Sequence, residues 1–308
     1  MSACLLCDSE HLRVVEPRVR DNRFASPGEW RILACEDCGL WQTDPLPTPA
    51  QLQELYERHY NFGGEGETGS AWAKLRAAFF ASPLYRLMLA LDGDVSFHTK
   101  RGKGRLLDVG CNEGRGLAIY EANGFQAEGL ELNRVAADAA RQKGFVVYDV
   151  DIAMLRPAAP YDVVVLSNVL EHALHPQGML TEIHRLLNPG GELWISLPNA
   201  ESALRERFGA DWINWHVPFH ITHFTAARLG RLLDEAGFTV ARTRNVTPAL
   251  WYAQSVIARA FPDAPRRQRE PRRVLPLMLS AMTIHAATRA AWNRSGRGDC
   301  LVVEATRR

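Results

Sequence analysis

Leu106-Leu107-Asp108-Val109-Gly110-Cys111-Asn112-Glu113-Gly114-Arg115-Gly116 carries an apolar run straight into a glycine-rich turn and the start of a helical stretch. A strand that breaks this way lets backbone pass close to a ligand, because only glycine permits that approach without a Cβ clash. The glycines are spaced G-x-x-x-G-x-G. Dinucleotide enzymes instead use G-x-G-x-x-G to seat a pyrophosphate on the helix N-terminus, so the spacing argues against NAD. Glu131 closes the next apolar run about 20 residues after the loop, where an acidic side chain accepts hydrogen bonds from ribose hydroxyls. A ribose-bearing cofactor is implied.

Outward from this stretch, short β-branched runs alternate with helical ones, which predicts successive βαβ units and a largely parallel sheet. Strands are expected at 106–109, 127–131, 146–149, 163–166 and 193–196, with helices at 115–123, 134–143 and 178–187. Asn188-Pro189-Gly190-Gly191 reads as a turn between the last helix and its strand. A helix at Thr225 to Ala236 closed by Gly237, then strands at 239–244 and 300–304, would finish the sheet. Residues 249–295 read as a helical insertion, its two helices joined by the basic segment Arg266 to Arg273.

Leu107-Asp108-Val109-Gly110-Cys111-Asn112-Glu113-Gly114 resembles the first motif of class I S-adenosylmethionine-dependent methyltransferases. Tyr161 to His172 resembles their fourth-strand motif, and Leu187-Asn188-Pro189-Gly190-Gly191 their turn before strand five; the match covers about residues 104–245 in order. The resemblance implies an α/β, Rossmann-like seven-stranded sheet of order 3-2-1-4-5-7-6 with its last strand antiparallel. It also implies roles. Asp108 and Gly110, with Cys111 and Gly114 of the same loop, would hold the methionine end of the cofactor. Glu131 would hold the ribose, with Leu132 next to it a further cofactor contact, and Asp151 and Ile152 would meet the adenine, with Asp149 an alternative acidic contact. Ser167, Asn168 and His172 would border the transferred methyl group.

Cys4-x-x-Cys7 and Cys35-x-x-Cys38 each fit a zinc knuckle, and two knuckles complete a tetrahedral Cys4 site with no position open for water. The expected zinc is therefore structural. Cys38-Gly39-Leu40, Pro45-Leu46-Pro47-Thr48 and Leu55-Tyr56 resemble the zinc-ribbon leader of a group of bacterial methyltransferases associated with glycans, deoxysugars and secondary metabolites. The expected organisation is a zinc module at 1–48 with few periodic elements, a linker and helical segment at 49–100 with helices at 51–60 and 71–91, and a catalytic domain at 101–308.

Methyl transfer to a hydroxyl needs near-attack geometry and a proton acceptor, and a base of near-neutral pKa points to histidine. His172 and His220 are the candidates. Trp212 to Phe224 holds His216, His220 and His223 among Trp212, Trp215, Pro218 and Phe219, and reads as a substrate wall; a packed loop is the alternative. These three histidines could also hold one metal ion.

With 308 residues, 46% hydrophobic and 23% charged, the chain reads as globular, and its net charge of +1 lacks the basic excess of nucleic-acid binders. No Asn-Pro-Pro-Tyr follows the fourth strand, which also argues against base methylation. The acceptor is expected to be a small molecule or saccharide. Carbon methylation of a nucleotide-linked deoxysugar, RNA methylation and non-catalytic cofactor binding are rival readings. The N-terminus shows no secretory signal, so a cytoplasmic location is expected. Pro276, His285 and Arg289 interrupt the apolar stretch 274–292, so it reads as a lid or homodimer surface and not as a membrane span.

Overall fold

The computed structural model describes residues 2–24, 26–48, 50–52, 54–55, 82–261 and 271–308. Its larger sheet holds β4 (Arg105–Val109), β5 (Gln126–Leu130), β6 (Val146–Tyr148), β7 (Tyr161–Ser167), β8 (Leu187–Pro198), β10 (Phe238–Val246) and β11 (Cys300–Arg307). The order is β10-β11-β8-β7-β4-β5-β6, and β11 runs antiparallel to both of its neighbours. Val163, Val164, Val165 and Leu166 of β7 are all buried, the unbroken apolar run of a strand covered on both faces.

Helices supply that cover: α1 (Pro83–Asp92), α2 (Arg115–Ala122), α3 (Arg134–Gln142), α4 (Pro176–Leu186), α5 (Ala203–Phe208), α6 (Ala226–Glu235), α7 (Ala249–Ala260) and α8 (Pro271–Arg294). Four of them start at a capping side chain. Asn133 accepts from Ala136 N ahead of α3, and Thr225 from Arg228 N ahead of α6. Among the described residues no helix is long and apolar enough to cross a membrane. The expected helix 51–60, the first part of the expected helix 71–91 and the basic residues 266–270 lie largely or wholly outside the described residues.

The Asn188–Gly191 turn needs correcting. β8 already begins at Leu187, and its register against β7 jumps from Tyr161↔Leu187 to Val163↔Glu192. The four residues form a bulge inside the strand, tied by Asn188 Nδ2 donating to Asp162 Oδ1 at 2.8 Å and turned at Gly190, whose φ is +76°.

The N-terminal residues are also more regular than expected. β1 (Leu12–Val19), β2 (Trp30–Cys35) and β3 (Trp41–Asp44) pair in an antiparallel sheet completed by β9 (Thr222–His223) from the far side of the chain. Pro17 and two register shifts obscure the alternation of β1. Cys4, Cys35 and Leu40 share one apolar cluster with Phe224, Leu229 and Leu166, while Val19 and Ile32 join a second cluster with Trp212, Trp215 and Tyr252. Arg228 Nη1 and Arg231 Nη2 add hydrogen bonds to the Cys38 carbonyl.

Asp299 fixes the loop that carries β9. Its buried carboxylate accepts from Ser202 Oγ at 2.8 Å, Trp212 Nε1 at 2.7 Å and Asn214 Nδ2 at 2.9 Å. Replacement by alanine strands three buried donors, each worth about 1–3 kcal/mol. Asp299→Ala should therefore lower unfolding free energy by about 3 kcal/mol or more in urea titrations; an unchanged midpoint would contradict this role.

Candidate functional site

The C-terminal ends of β4, β5 and β7 converge on the glycine loop. Gly110 (φ +75°), Asn112 (φ +52°) and Gly114 (φ +76°) all take left-handed backbone, and Gly110 N donates to Leu130 O at 2.7 Å. A Cβ on Gly110 would lie 3.0 Å from Val169 Cγ2, and one on Gly114 2.9 Å from the Phe145 ring. Gly114 thus serves helix packing as well as loop shape. The Cys111 thiol is buried against Gly129, where a Cβ would meet its Sγ at 2.3 Å, so only the Cys111 backbone faces the loop.

Glu131 joins the two loops. Its Oε2 accepts from Asn112 N at 2.9 Å and its Oε1 from Asn133 N at 2.8 Å, while burial raises its pKa. Beside it Leu132 is 64% exposed, an apolar side chain left for a ligand to cover. Asp108 is buried behind the loop, and burial, with Glu131 nearby, lifts its carboxyl to about 7. A cation such as an ammonium suits that place.

Asp149 and Asp151 both have local work. Asp149 pairs with Arg141 at 2.9 Å, which holds its pKa below the usual range. Asp151 Oδ1 accepts from Ala153 N at 2.8 Å and caps the short turn that buries Ile152. A ligand would meet Asp151 as a cap and Ile152 as part of the core.

Sequence reasoning missed the segment before β4. Ser167 Oγ donates to Val95 O at 3.1 Å, which lays this segment along the end of β7. His98 Nδ1 lies 3.0 Å from Tyr85 Oη, and a Cβ on Gly116 would stand 2.8 Å from Asp108 Oδ2 and 3.5 Å from His98 Nε2. Burial holds His98 near 4. No spacing rule singles out a histidine in a linker.

Past β7, Asn168 takes left-handed backbone (φ +55°) and its N–H donates to Ser196 O at 2.8 Å. A single turn, Leu170–His172, follows. His172 Nδ1 lies 2.9 Å from Phe219 O, and His220 Nδ1 2.8 Å from Asn214 O. The two rings stand at 86° with centroids 4.7 Å apart. Burial drives His172 to about 4 and His220 far below its usual value, whereas Glu171 beside them rises to about 8. The near-neutral group is thus the glutamate, which the quoted Leu170-Glu171-His172 motif contains.

Trp212 to Phe224 is a packed loop and not an open wall. Trp212 and Trp215 are buried, with indole N–H groups on Asp299 and Gly209 O, and His223 Nε2 lies 3.0 Å from Thr43 Oγ1. Alternating aromatic and histidine residues here answer the demand of β3, which pairs with β9. Of the three loop histidines, only His220 joins His172 and Glu171 in a group able to hold a metal ion.

The four cysteine sulfurs also come together. Cys4 and Cys38 Sγ are 3.5 Å apart and Cys7 and Cys35 Sγ 3.6 Å, with all four within 4.8 Å. A tetrahedral zinc with bonds near 2.3 Å has sulfurs about 3.8 Å apart, so the donor set fits that ion.

A family model described as a methyltransferase domain matches residues 76–243. A probable S-adenosylmethionine-dependent methyltransferase of Mycolicibacterium smegmatis is 33% identical over 144 residues, 46% of this chain and 54% of that protein. This chain therefore spans about half the length of that relative. A ubiquinone biosynthesis O-methyltransferase of Erwinia tasmaniensis is 30% identical over 191 residues, 58% of this chain and 77% of that one. Among solved structures, a SAM-dependent methyltransferase of Thermotoga maritima aligns at 16% identity and a TM-score of 0.49, covering 83% of this chain and 100% of that chain.

The Asp108 environment has a consequence for stability. A carboxyl at about 7 in the fold and 3.8 when exposed favours its neutral form, so its contribution is present below about pH 4 and is lost as pH rises towards 7. Asp108→Asn should raise the ligand-free melting temperature at pH 8 by a few degrees, on the order of 1 kcal/mol, with the gain shrinking towards pH 4. A variant less stable than the parent at pH 8 would contradict this.

Proposed function

This chain belongs to the methyltransferase-domain family, whose model spans more than half of it, and from that premise we propose that it transfers a methyl group from S-adenosylmethionine to a hydroxyl of a sugar, glycan or secondary metabolite. The observation that carries the cofactor assignment is Glu131, whose half-buried carboxylate clasps the glycine loop beside exposed Leu132. When bound, S-adenosylmethionine supplies an electrophilic methyl on a sulfonium. Glu131 would take the ribose hydroxyls, Leu132 and Ile152 would pack on the adenine, and the Asp108 carboxylate would face the methionine ammonium with Gly110 alongside. Ser167 and Asn168, at the end of β7, would border the methyl. Val169 touches the place a Gly110 side chain would fill, so the turn carrying Glu171 and His172 adjoins the loop. These two residues and His220 would face the acceptor and take up its proton. Two supports favour oxygen as the acceptor atom: a carboxyl of near-neutral pKa at that turn, and relatives named as O-methyltransferases.

In the same reading Cys4, Cys7, Cys35 and Cys38 hold one structural zinc that braces the N-terminal strands against β9. With four thiolates the ion would have no position for substrate.

Glu131→Ala should weaken S-adenosylmethionine binding at least tenfold, about 1.4 kcal/mol, by calorimetry on a folded sample; unchanged affinity would remove its ribose role. For the acceptor, label from a methyl-tritiated donor should reach hydroxyl compounds in a panel of sugars, phenols and amines. Label confined to amines or carbon would overturn O-methylation.

A further inference from the structure

Glu171 is 1% exposed, and among the described residues its carboxylate oxygens have no hydrogen-bond partner beyond the backbone N–H of Glu171 itself. Burying an ionised carboxylate unpaired costs several kcal/mol, so the site calls for either a proton or a cation. His220 is turned towards it through Nε2, and a ring nitrogen of His172 lies close by. His172 and His220 each face a backbone carbonyl with Nδ1, which places the proton on that nitrogen and leaves Nε2 as the lone-pair donor. A ring held by a carbonyl through one nitrogen and presenting the other is the arrangement that orients metal-ligating histidines.

The distances agree. His220 Nε2 is 3.9 Å from Glu171 Oε1, and one donor atom from each of Glu171, His172 and His220 lies within 4.8 Å of the others. Ligands of a tetrahedral ion with bonds near 2.1 Å stand about 3.4 Å apart, so closure needs side-chain movements of less than an ångström each. Arg23 reaches in from the N-terminal strands, held by Asn214 Oδ1 at 3.2 Å, and its charge is felt by Glu171, His172 and His220. An ion beside it would favour an anionic fourth ligand.

We propose that Glu171, His172 and His220 form a three-ligand site for one divalent transition-metal ion, separate from the four cysteines, with an open position for an oxygen ligand. Naming that oxygen as the methyl acceptor rests on the methyltransferase reading. With an ion bound, the three side chains would hold it in place of taking up the acceptor's proton themselves, and the ion would acidify a bound hydroxyl so that its proton passes to water. The oxygen lone pair then forms the O–C bond as the S–C bond breaks, releasing S-adenosylhomocysteine.

Manganese separates the two metal sites, because carboxylate and imidazole accept it whereas thiolates select softer ions. Titration of the full chain with Mn2+, followed by electron paramagnetic resonance, should show one ion bound per chain. Glu171→Gln and His220→Ala should raise the Kd at least tenfold. After zinc loading and desalting, the parent should retain two ions and each variant one. A parent that binds no Mn2+, or variants that match it, would overturn the site; if a variant fails to fold, the parent titration decides. Calorimetry with S-adenosylhomocysteine on the same parent sample distinguishes the two readings. Cofactor binding without the second ion sinks this inference alone, and the ion without cofactor binding sinks the methyltransferase reading alone.

Discussion

β4 has β5 on one side and β7 on the other, so the crossovers that leave β4 and β7 depart in opposite directions. That divergence opens a crevice at the carboxyl ends of the strands, and the remaining features of the site are built into it. Gly110 lets the β4 loop turn against Val169 at the start of the β7 loop, and Glu131 ties the loop after β5 to the same backbone. The segment before β4 joins from a third direction through the Ser167 to Val95 hydrogen bond. Four stretches far apart in sequence thus meet within one crevice.

Burial sets the electrostatics of that crevice. Asp108, Glu131 and Glu171 all rise above their ordinary values, while His98, His172, His216 and His220 all fall. Each shift has desolvation as its largest cause, so burial favours the neutral form of each of these groups. Cations reverse the preference of the acids. A sulfonium cofactor with its ammonium would suit the end near Asp108, and a metal ion the end near Glu171. The N-terminal strands contribute to both stability and site, because β3 pairs with β9 and Arg23 reaches His172 and His220 with its charge.

The elements that can be read in the sequence are those whose causes are local. The strand into the glycine loop, the spacing to Glu131, the helices at 134–143 and 225–236 and the paired cysteines all depend on neighbours in the chain. What could not be read depends on partners far away. β1 is masked by Pro17, and β9 exists only because β3 lies beside it. The tryptophans of the Trp212 to Phe224 loop look like a ligand wall until Asp299, nearly 90 residues on, is found to hold Trp212 and Asn214. Asn188–Gly191 has turn chemistry but sits inside a strand, because Asp162 on β7 ties down the bulge. Glu171 stood in a recognised motif, yet the burial of its carboxylate without a side-chain partner among the described residues is visible only in three dimensions.

A crystal structure of the full chain with S-adenosylhomocysteine would show where the cofactor sits. The account predicts the ribose hydroxyls on the Glu131 carboxylate, the adenine against Leu132 and Ile152, and the sulfur directed towards Ser167 and the Glu171 turn. A ligand seated away from Gly110 and Glu131, or a folded chain that takes up none, would contradict it.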